Sequence, residues 1–283
     1  MPFPLPDVSD TSISDLVSLR GRRAVVTGGA QGLGKAIAAR LAEAGADLLI
    51  VDLDEVSARS AAGELSRRYR VTGIGSRADV RDTEAVAAAA ELAVTDLGGL
   101  DIWVNNAGIF PNAPVLQMPD QMWEQVFAVN SRGVFLGSRE AARRMSAGGG
   151  VIINVISTAG FQVAFPGMAA YVASKHAARG LTKSLAVDLA PFGIRVLGVA
   201  PSYVPTEGNI AAAQEAAHAA EAAGVELPKV DVMSQSRIGR LGTPDDIARV
   251  VLFAASDLSL IMTGSTLLAD AGEGLNPGCW TRG

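Results

Sequence analysis

Strand-like runs alternating with longer helical ones predict an α/β chain built on a doubly wound parallel sheet of seven strands, flanked by helices on both faces. Three observations carry that expectation. Short runs rich in β-branched and large apolar residues recur along the 283 residues. Their cores are continuous apolar patches rather than clean apolar–polar alternations, as in strands covered on both faces. Ala-rich amphipathic segments fill the intervals, and a strand–helix–strand unit closes right-handed onto a parallel sheet.

In chain order the runs are RAVVT (23–27), DLLIVD (47–52), RVTGIGSRADV (70–80), DIWVNN (101–106), VIINVIS (151–157), IRVLGVA (194–200) and STLLAD (265–270). Helical intervals include 33–44, 83–97, 120–146, 169–190 and 244–256. No stretch rich in Pro, Gly or Ser cuts the alternation, so 21–272 reads as one domain, with a loosely held extension at 1–20 and a tail at 273–283. Residues 203–237 break the pattern by inserting an Ala-rich helix and an irregular tail just past a strand's carboxyl end. Open α/β sheets bind ligands there, so the insertion reads as a lid, although a surface helix pair without function has the same composition.

The composition narrows the function. A net charge of −5 and a pI near 5.1 argue against a nucleic-acid partner, and there is no polybasic membrane patch. Cys279 is the only cysteine, so no intramolecular disulfide forms and a reducing compartment fits. His176, His218 and Cys279 are too few for a conventional zinc centre, so no metal is expected. No run approaches the roughly 18 apolar residues of a membrane span. Asp7, Asp10 and Asp15 precede the first basic residue, Arg20, a composition opposite to that of a secretion signal. A soluble cytoplasmic protein is expected.

The first strand runs into TGGAQGLGKAIAARLAEAG, where Gly28, Gly32 and Gly34 open a strong helix. Such glycines permit a tight turn and bring backbone N–H groups to a pyrophosphate at the positive end of the helix. Alone, the turn is equally compatible with a plain strand–helix loop. Asp52, ending the second strand 24 residues after Gly28, adds a carboxylate that can accept both hydroxyls of an adenosine ribose and repel a 2′-phosphate. Leu53, Asp54 and Glu55 follow with no arginine, so NAD is expected over NADP.

In STAGFQVAFPGMAAYVASK (157–175), Tyr171 and Lys175 are four residues apart and share one helical face. Spacing alone fits either a catalytic acid with its tuning cation or two surface side chains one turn apart.

With these motifs assembled in order, the chain resembles the classical branch of the short-chain dehydrogenase/reductase family over roughly residues 21 to 272. TGGAQGLG fits that family's T-G-x-x-x-G-x-G turn, which implies cofactor contacts from Gly28, Gln31, Gly32, Leu33 and Gly34. The resemblance likewise implies that Asp52 and Leu53 hold the ribose end and that Asp79 and Val80 lie at the adenine. Asn106, Ala107 and Gly108 of NNAG would shape the cofactor groove, and Pro201, Val204 and Thr206 of PSYVPT would lie beside the nicotinamide carboxamide. AVNSRG supplies the helix-kink asparagine, Asn130; NVISTAG supplies Ser157; YVASK supplies Tyr171 and Lys175. RLGTPDDIA (240–248) matches the motif heading a late helix. The resemblance also implies a Rossmann fold and a homotetramer, with 120–146 and 169–190 pairing between subunits and the last strand at a second interface.

Two departures stand out. Ser157 lies fourteen residues before Tyr171, one more than the family's usual spacing, and Thr158 stands at the usual distance. N-x-x-S-x-x-G aligns Asn154, Ser157 and Gly160 with the strand end, which favours Ser157 and puts the extra residue in FQVAFPG. Ser202 replaces the usual glycine after Pro201 and would be strained if that position required a positive φ.

The expected reaction is oxidation of a secondary alcohol, or its reverse. Tyr171 would remove the hydroxyl proton while hydride passes to NAD⁺, and Ser157 would hold the substrate oxygen. Lys175 and the nicotinamide ring would lower the phenol's pKa from about 10. Lys175 would also hold the nicotinamide ribose, and the resemblance implies a proton relay through Asn130, a water and Lys175. Ile109, Phe110, Val163, Phe165, Met168 and Tyr203 are candidate pocket residues, mostly apolar, which points to an apolar or cyclic, steroid- or terpenoid-like alcohol or ketone. Trp280 on the tail could dock on a neighbouring subunit or simply fray. Rival readings are an NADPH-dependent 3-oxoacyl reductase, against which Asp52, Asp54 and Glu55 speak, and a non-catalytic dinucleotide sensor, which should have lost one of the four catalytic residues.

Overall fold

The computed structural model describes residues 6–163, 166–210, 214 and 236–275. Its strands are β1 (Arg23–Thr27), β2 (Asp47–Asp52), β3 (Gly73–Arg77), β4 (Ile102–Asn105), β5 (Gly150–Val155), β6 (Ile194–Pro201) and β7 (Thr266–Ala269). All pair in parallel in one sheet, ordered β3-β2-β1-β4-β5-β6-β7. The helices are α1 (Ile13–Val17), α2 (Gly32–Glu43), α3 (Glu55–Tyr69), α4 (Thr83–Leu97), α5 (Asp120–Phe127), α6 (Val134–Met145), α7 (Ala169–Leu189) and α8 (Pro244–Ala255).

Alternation along the inner strands β1, β2, β4, β5 and β6 explains their continuous apolar runs, because both faces are dry there. Ala24 and Val26 of β1, with Leu48 and Ile50 of β2, join a core under α2, α3 and α8. Val25, Leu49 and Val51 face the other way, into a core with Trp103 and Ile152 beneath α4, α6 and α7. Each such valine, leucine or isoleucine, fully buried, contributes roughly 1.5–3 kcal/mol. Leu19, fully buried, anchors the end of the N-terminal extension, and its N–H donates to the Ala44 carbonyl at 2.8 Å.

Polar groups cross the same core without being orphaned. Trp103 Nε1 donates to Asn105 Oδ1 at 2.7 Å, and Asn105 Nδ2 donates to Asn154 Oδ1 at 2.8 Å and to Ser138 Oγ at 3.0 Å. Asn154 Nδ2 then donates to Thr182 Oγ1 at 2.9 Å, which joins β4, β5, α6 and α7 below the site.

Three elements differ from the sequence expectation. The third strand is only Gly73–Arg77, not 70–80. Arg70 caps α3 in the left-handed region at φ +60°, and beyond Arg77 the chain turns into the loop that carries Asp79. The helix at Glu55–Tyr69, not singled out from sequence, is capped by Asp54, which accepts from the Val56 and Ser57 N–H groups. The long helix expected at 120–146 is split by a π-helical segment, Ala128–Gly133. Most of the expected lid, Phe165, and the tail from 276 on, including Trp280, lie outside the described residues.

Candidate active site

β1 is flanked by β2 on one side and β4 on the other, so the carboxyl ends of β1 and β4 border a crevice. Thr27 organises this point: its Oγ1 donates to the Val104 carbonyl at 3.2 Å and accepts the N–H groups of Asn106 (3.1 Å) and Ala107 (3.2 Å). Asn106 Nδ2 returns to the carbonyls of Thr27 (3.0 Å) and Gly28 (2.9 Å). Gly28 and Gly32 have φ of +60° and +53°, which favours glycine. Gly34 is needed for another reason: a Cβ there would lie 2.0 Å from the Gly28 carbonyl oxygen.

These residues fit a dinucleotide. Gln31, the exposed N-cap of α2, leaves the helix start without a side-chain cap, so its first N–H groups are available to a pyrophosphate. Leu33 is half-buried in that first turn, and Thr206 approaches Gly32 from the loop after β6. Asp52 ends β2 and accepts the Ala30 N–H at 3.1 Å, which ties the carboxylate to the glycine turn; Leu53 beside it is exposed. Asp79 is held by Arg81 at 2.6 Å, and this hydrogen-bonded pairing draws its carboxyl below the usual range. Val80 packs against Gly133 in the π segment. Pro201 ends β6, Val204 is buried, and Ser202 is not among the described residues at positive φ, so the replacement of glycine there brings no strain.

The four residues expected to do chemistry come from three elements. Asn130, fully buried in the π segment, accepts the Ile109 N–H at 2.9 Å and donates to the Ile109 carbonyl (2.8 Å) and Ser174 Oγ (3.1 Å). Gly108 lies against both Asn130 Oδ1 and Lys175 Nζ, so the groove-lining loop touches both. Ser157 follows β5 in extended backbone, half-buried, whereas Thr158 is buried at 4% exposure in the following 3₁₀ turn. Of the two hydroxyls, Ser157's is the more open to the cleft.

Tyr171 lies in the first turn of α7, with Lys175 one turn on. Lys175 Nζ sits 5.7 Å from the centre of the Tyr171 ring and donates to the Val155 carbonyl at 3.0 Å. Burial pushes the Lys175 ammonium down to about 8. The sequence-based expectation of a lowered phenol is not met by the protein's own groups. Burial raises the Tyr171 phenol, and hydrogen bonding to Ser157 opposes that only in part. The desolvation that makes the cleft a good electrostatic environment disfavours the phenolate itself.

Among the proposed pocket residues, Phe110 meets the Tyr171 ring edge-on at 6.2 Å and 74°, whereas Val163 is largely exposed. Among the described residues no helix is long and apolar enough to cross a membrane, and no cluster of His, Cys, Asp and Glu could hold a metal ion. Sequence reasoning missed the roles of Thr27 and of the amide chain through Asn105, Asn154 and Thr182. The only signal was polar residues at the ends of otherwise apolar strands.

Comparison with known proteins agrees with this architecture. A family model described as "Enoyl-(Acyl carrier protein) reductase" matches residues 28–273. The chain is 38% identical over 256 residues to trans-4-hydroxycyclohexanecarboxylate dehydrogenase of Sinomonas cyclohexanicum, covering 88% of this chain and 92% of that protein. It is also 38% identical over 262 residues to 3beta-hydroxysteroid dehydrogenase 2 of Eggerthella lenta, covering 90% and 95%. The crystal structure of a gluconate 5-dehydrogenase from Burkholderia cenocepacia, in complex with NADP and tartrate, superposes with a TM-score of 0.82 at 35% identity, covering 93% of this chain and 99% of that one. Matching in sequence and in fold over most of its length, the chain belongs to the classical short-chain dehydrogenase/reductase family, a family of oxidoreductases.

Proposed function

We propose that this protein is an NAD-dependent dehydrogenase that interconverts a secondary alcohol and its ketone. The observation that carries the proposal is the gathering of Ser157, Tyr171, Lys175 and Asn130 at the carboxyl ends of β4 and β5, beside the glycine turn of β1. Tyr171 takes the hydroxyl proton of the alcohol. Ser157 donates to or accepts from the substrate oxygen and holds it against the phenol. Lys175 places a cation beside the ring, and Asn130 fixes Ile109 and hence the groove wall at Gly108. The dinucleotide, when bound, supplies the hydride acceptor.

NAD is proposed because Asp52 ends β2 where a 2′-phosphate would meet a carboxylate, and no cation follows it in Leu53, Asp54 or Glu55. A second reading, NADPH-dependent reduction, is favoured by Arg77, the exposed register partner of Asp52 on β3. For the substrate we propose a cyclic, largely apolar alcohol. Phe110 beside Tyr171 supports this, as do relatives named for a hydroxycyclohexane acid and a hydroxysteroid. We further propose a cytoplasmic homotetramer. Exposed apolar groups on the expected interfaces, Phe135 and Val187 on the long helices and Leu268 on β7, support the assembly, and light scattering tests it.

The functional test is reduction of NAD⁺ and NADP⁺ by the purified protein with a panel of cyclic and linear secondary alcohols. Turnover with NAD⁺ and cyclic alcohols supports the proposal. Turnover only with NADP⁺ moves it to the second reading, and saturable NADH binding without turnover on alcohols or ketones favours a sensor.

A further inference from the structure

The two loops beside Tyr171 meet in a clasp. Asn112 Nδ2 donates to the Pro166 carbonyl at 3.2 Å, and the Ala113 N–H donates to the Gly167 carbonyl at 3.0 Å. Gly167 has φ of +82°, and a Cβ built on it would lie 1.9 Å from Asn112 Oδ1. The asparagine amide therefore fills the space that any other residue at 167 would claim. The loop carrying Asn112 is fixed at its other end by Asn130, which holds both backbone groups of Ile109. Between these two anchors Phe110 stands edge-on to Tyr171.

The clasp bears directly on the helix that carries the phenol. α7 begins at Ala169, two residues past Gly167, and its N-cap, Met168, makes no side-chain capping bond. A helix start without a cap is held by whatever fixes the chain before it. Among the described bonds, those that reach Pro166 and Gly167 are the two from Asn112 and Ala113; the next turn of α7 is held separately, by Asn130 and Ser131 on Ser174 and by Lys175 on Val155.

We propose that Asn112 is a positioning residue for the alcohol–ketone reaction. By holding Pro166 and Gly167 it fixes the start of α7, sets Tyr171 against Ser157 and keeps Phe110 as a wall of the substrate cleft. This rests on the dehydrogenase reading above. Asn112 touches none of the reacting atoms and acts through Tyr171 and Phe110.

The test uses the isosteric Asn112→Asp, which removes the Nδ2 donor, beside Asn112→Ala. Backbone hydrogen exchange is followed at 166–172 and at 23–52, with steady-state kinetics on cyclohexanol, 1-indanol and 2-octanol. Both variants are expected to exchange faster at 166–172 and not at 23–52. The KM for the alcohol should rise about tenfold, the loss of one hydrogen bond's worth of ordering, with the KM for NAD⁺ unchanged. Unchanged exchange at 166–172, or faster exchange with an unchanged alcohol KM, overturns the proposal. If the wild type turns over none of the wider panel of alcohols and ketones with either dinucleotide, the dehydrogenase reading fails on its own account. Exchange at 166–172 then still decides the clasp: an increase in Asn112→Asp upholds it and no change overturns it.

Discussion

Lys175 Nζ donates to the Val155 carbonyl at 3.0 Å, so the ammonium is bound to the end of β5 as well as placed beside the Tyr171 ring. One buried cation thus ties α7 to the sheet at the point where Ser157 leaves it. Its burial gives stability an alkaline dependence. The folded pKa is about 8 against an ordinary 10.5, so between those values the unfolded chain binds more protons and stability rises with pH. Chemical denaturation of wild type and Lys175→Met from pH 7 to 10 should show that rise as a difference between the two curves, of order 3 kcal/mol at most. Parallel curves would mean that the ammonium is solvated.

Alcohol oxidation needs the phenolate, and burial holds the Tyr171 phenol above its ordinary range. The kcat/KM for oxidation should therefore climb from pH 7 toward pH 10, and ketone reduction, which needs the phenol's proton, should fall over the same window. Tyr171→Phe should lower kcat/KM by a factor of about 100 to 10,000 while NADH still binds, as read by fluorescence titration. A variant of near wild-type activity would remove Tyr171 from the chemistry.

The proposed preference for NAD rests on Asp52, whose carboxylate meets the glycine turn at Ala30 and whose register partner is Arg77. Asp52→Asn removes the repulsion of a 2′-phosphate and leaves Arg77 in place. The preference for NAD⁺ over NADP⁺, measured as a ratio of kcat/KM, should fall by roughly 10- to 100-fold, equivalent to about 1–3 kcal/mol. An unchanged ratio would place the selecting group elsewhere.

Asn154 is fully buried and bonded on both sides, accepting from Asn105 and donating to Thr182. Asn154→Leu would take one acceptor from the Asn105 amide, which keeps Ser138 Oγ, and the donor from Thr182 Oγ1, which keeps its bond to the Ala178 carbonyl, and would put a larger apolar side chain in a closed core. Urea denaturation should report a loss of about 2–4 kcal/mol, more than a surface asparagine would give.

The glycine turn and Asp52 were readable in the sequence because they rest on residue type at fixed spacing around one strand–helix unit, whereas Asn130, Ser157 and the Tyr171–Lys175 pair became candidates only through the family resemblance of the motifs that carry them. The strands were readable because a parallel sheet leaves uninterrupted apolar runs. What spacing does not encode is contact between distant loops. Asn112 and Gly167 are 55 positions apart, and each alone looks like ordinary turn chemistry. The amide chain from Asn105 to Thr182 was hidden for the same reason: it spans four elements and becomes a network only when the sheet brings them together. The effect of the protein's own groups on the phenol was not legible, because sequence supplies the neighbouring charge but not the depth of burial.

The π-helical segment at Ala128–Gly133 accommodates one residue more than a regular helix would over the same length. That surplus acts as a rotational offset, since one residue of an α-helix corresponds to about 100° of turn. α5 and α6 can therefore each keep an apolar face on the body while Asn130, between them, points inward at Ile109. Deleting Ser131 would let the two helices merge into one regular rod, but it would swing either Asn130 away from the site or α6 away from the sheet. The irregularity thus lets one long helix serve two masters, packing at its ends and the groove wall at its middle.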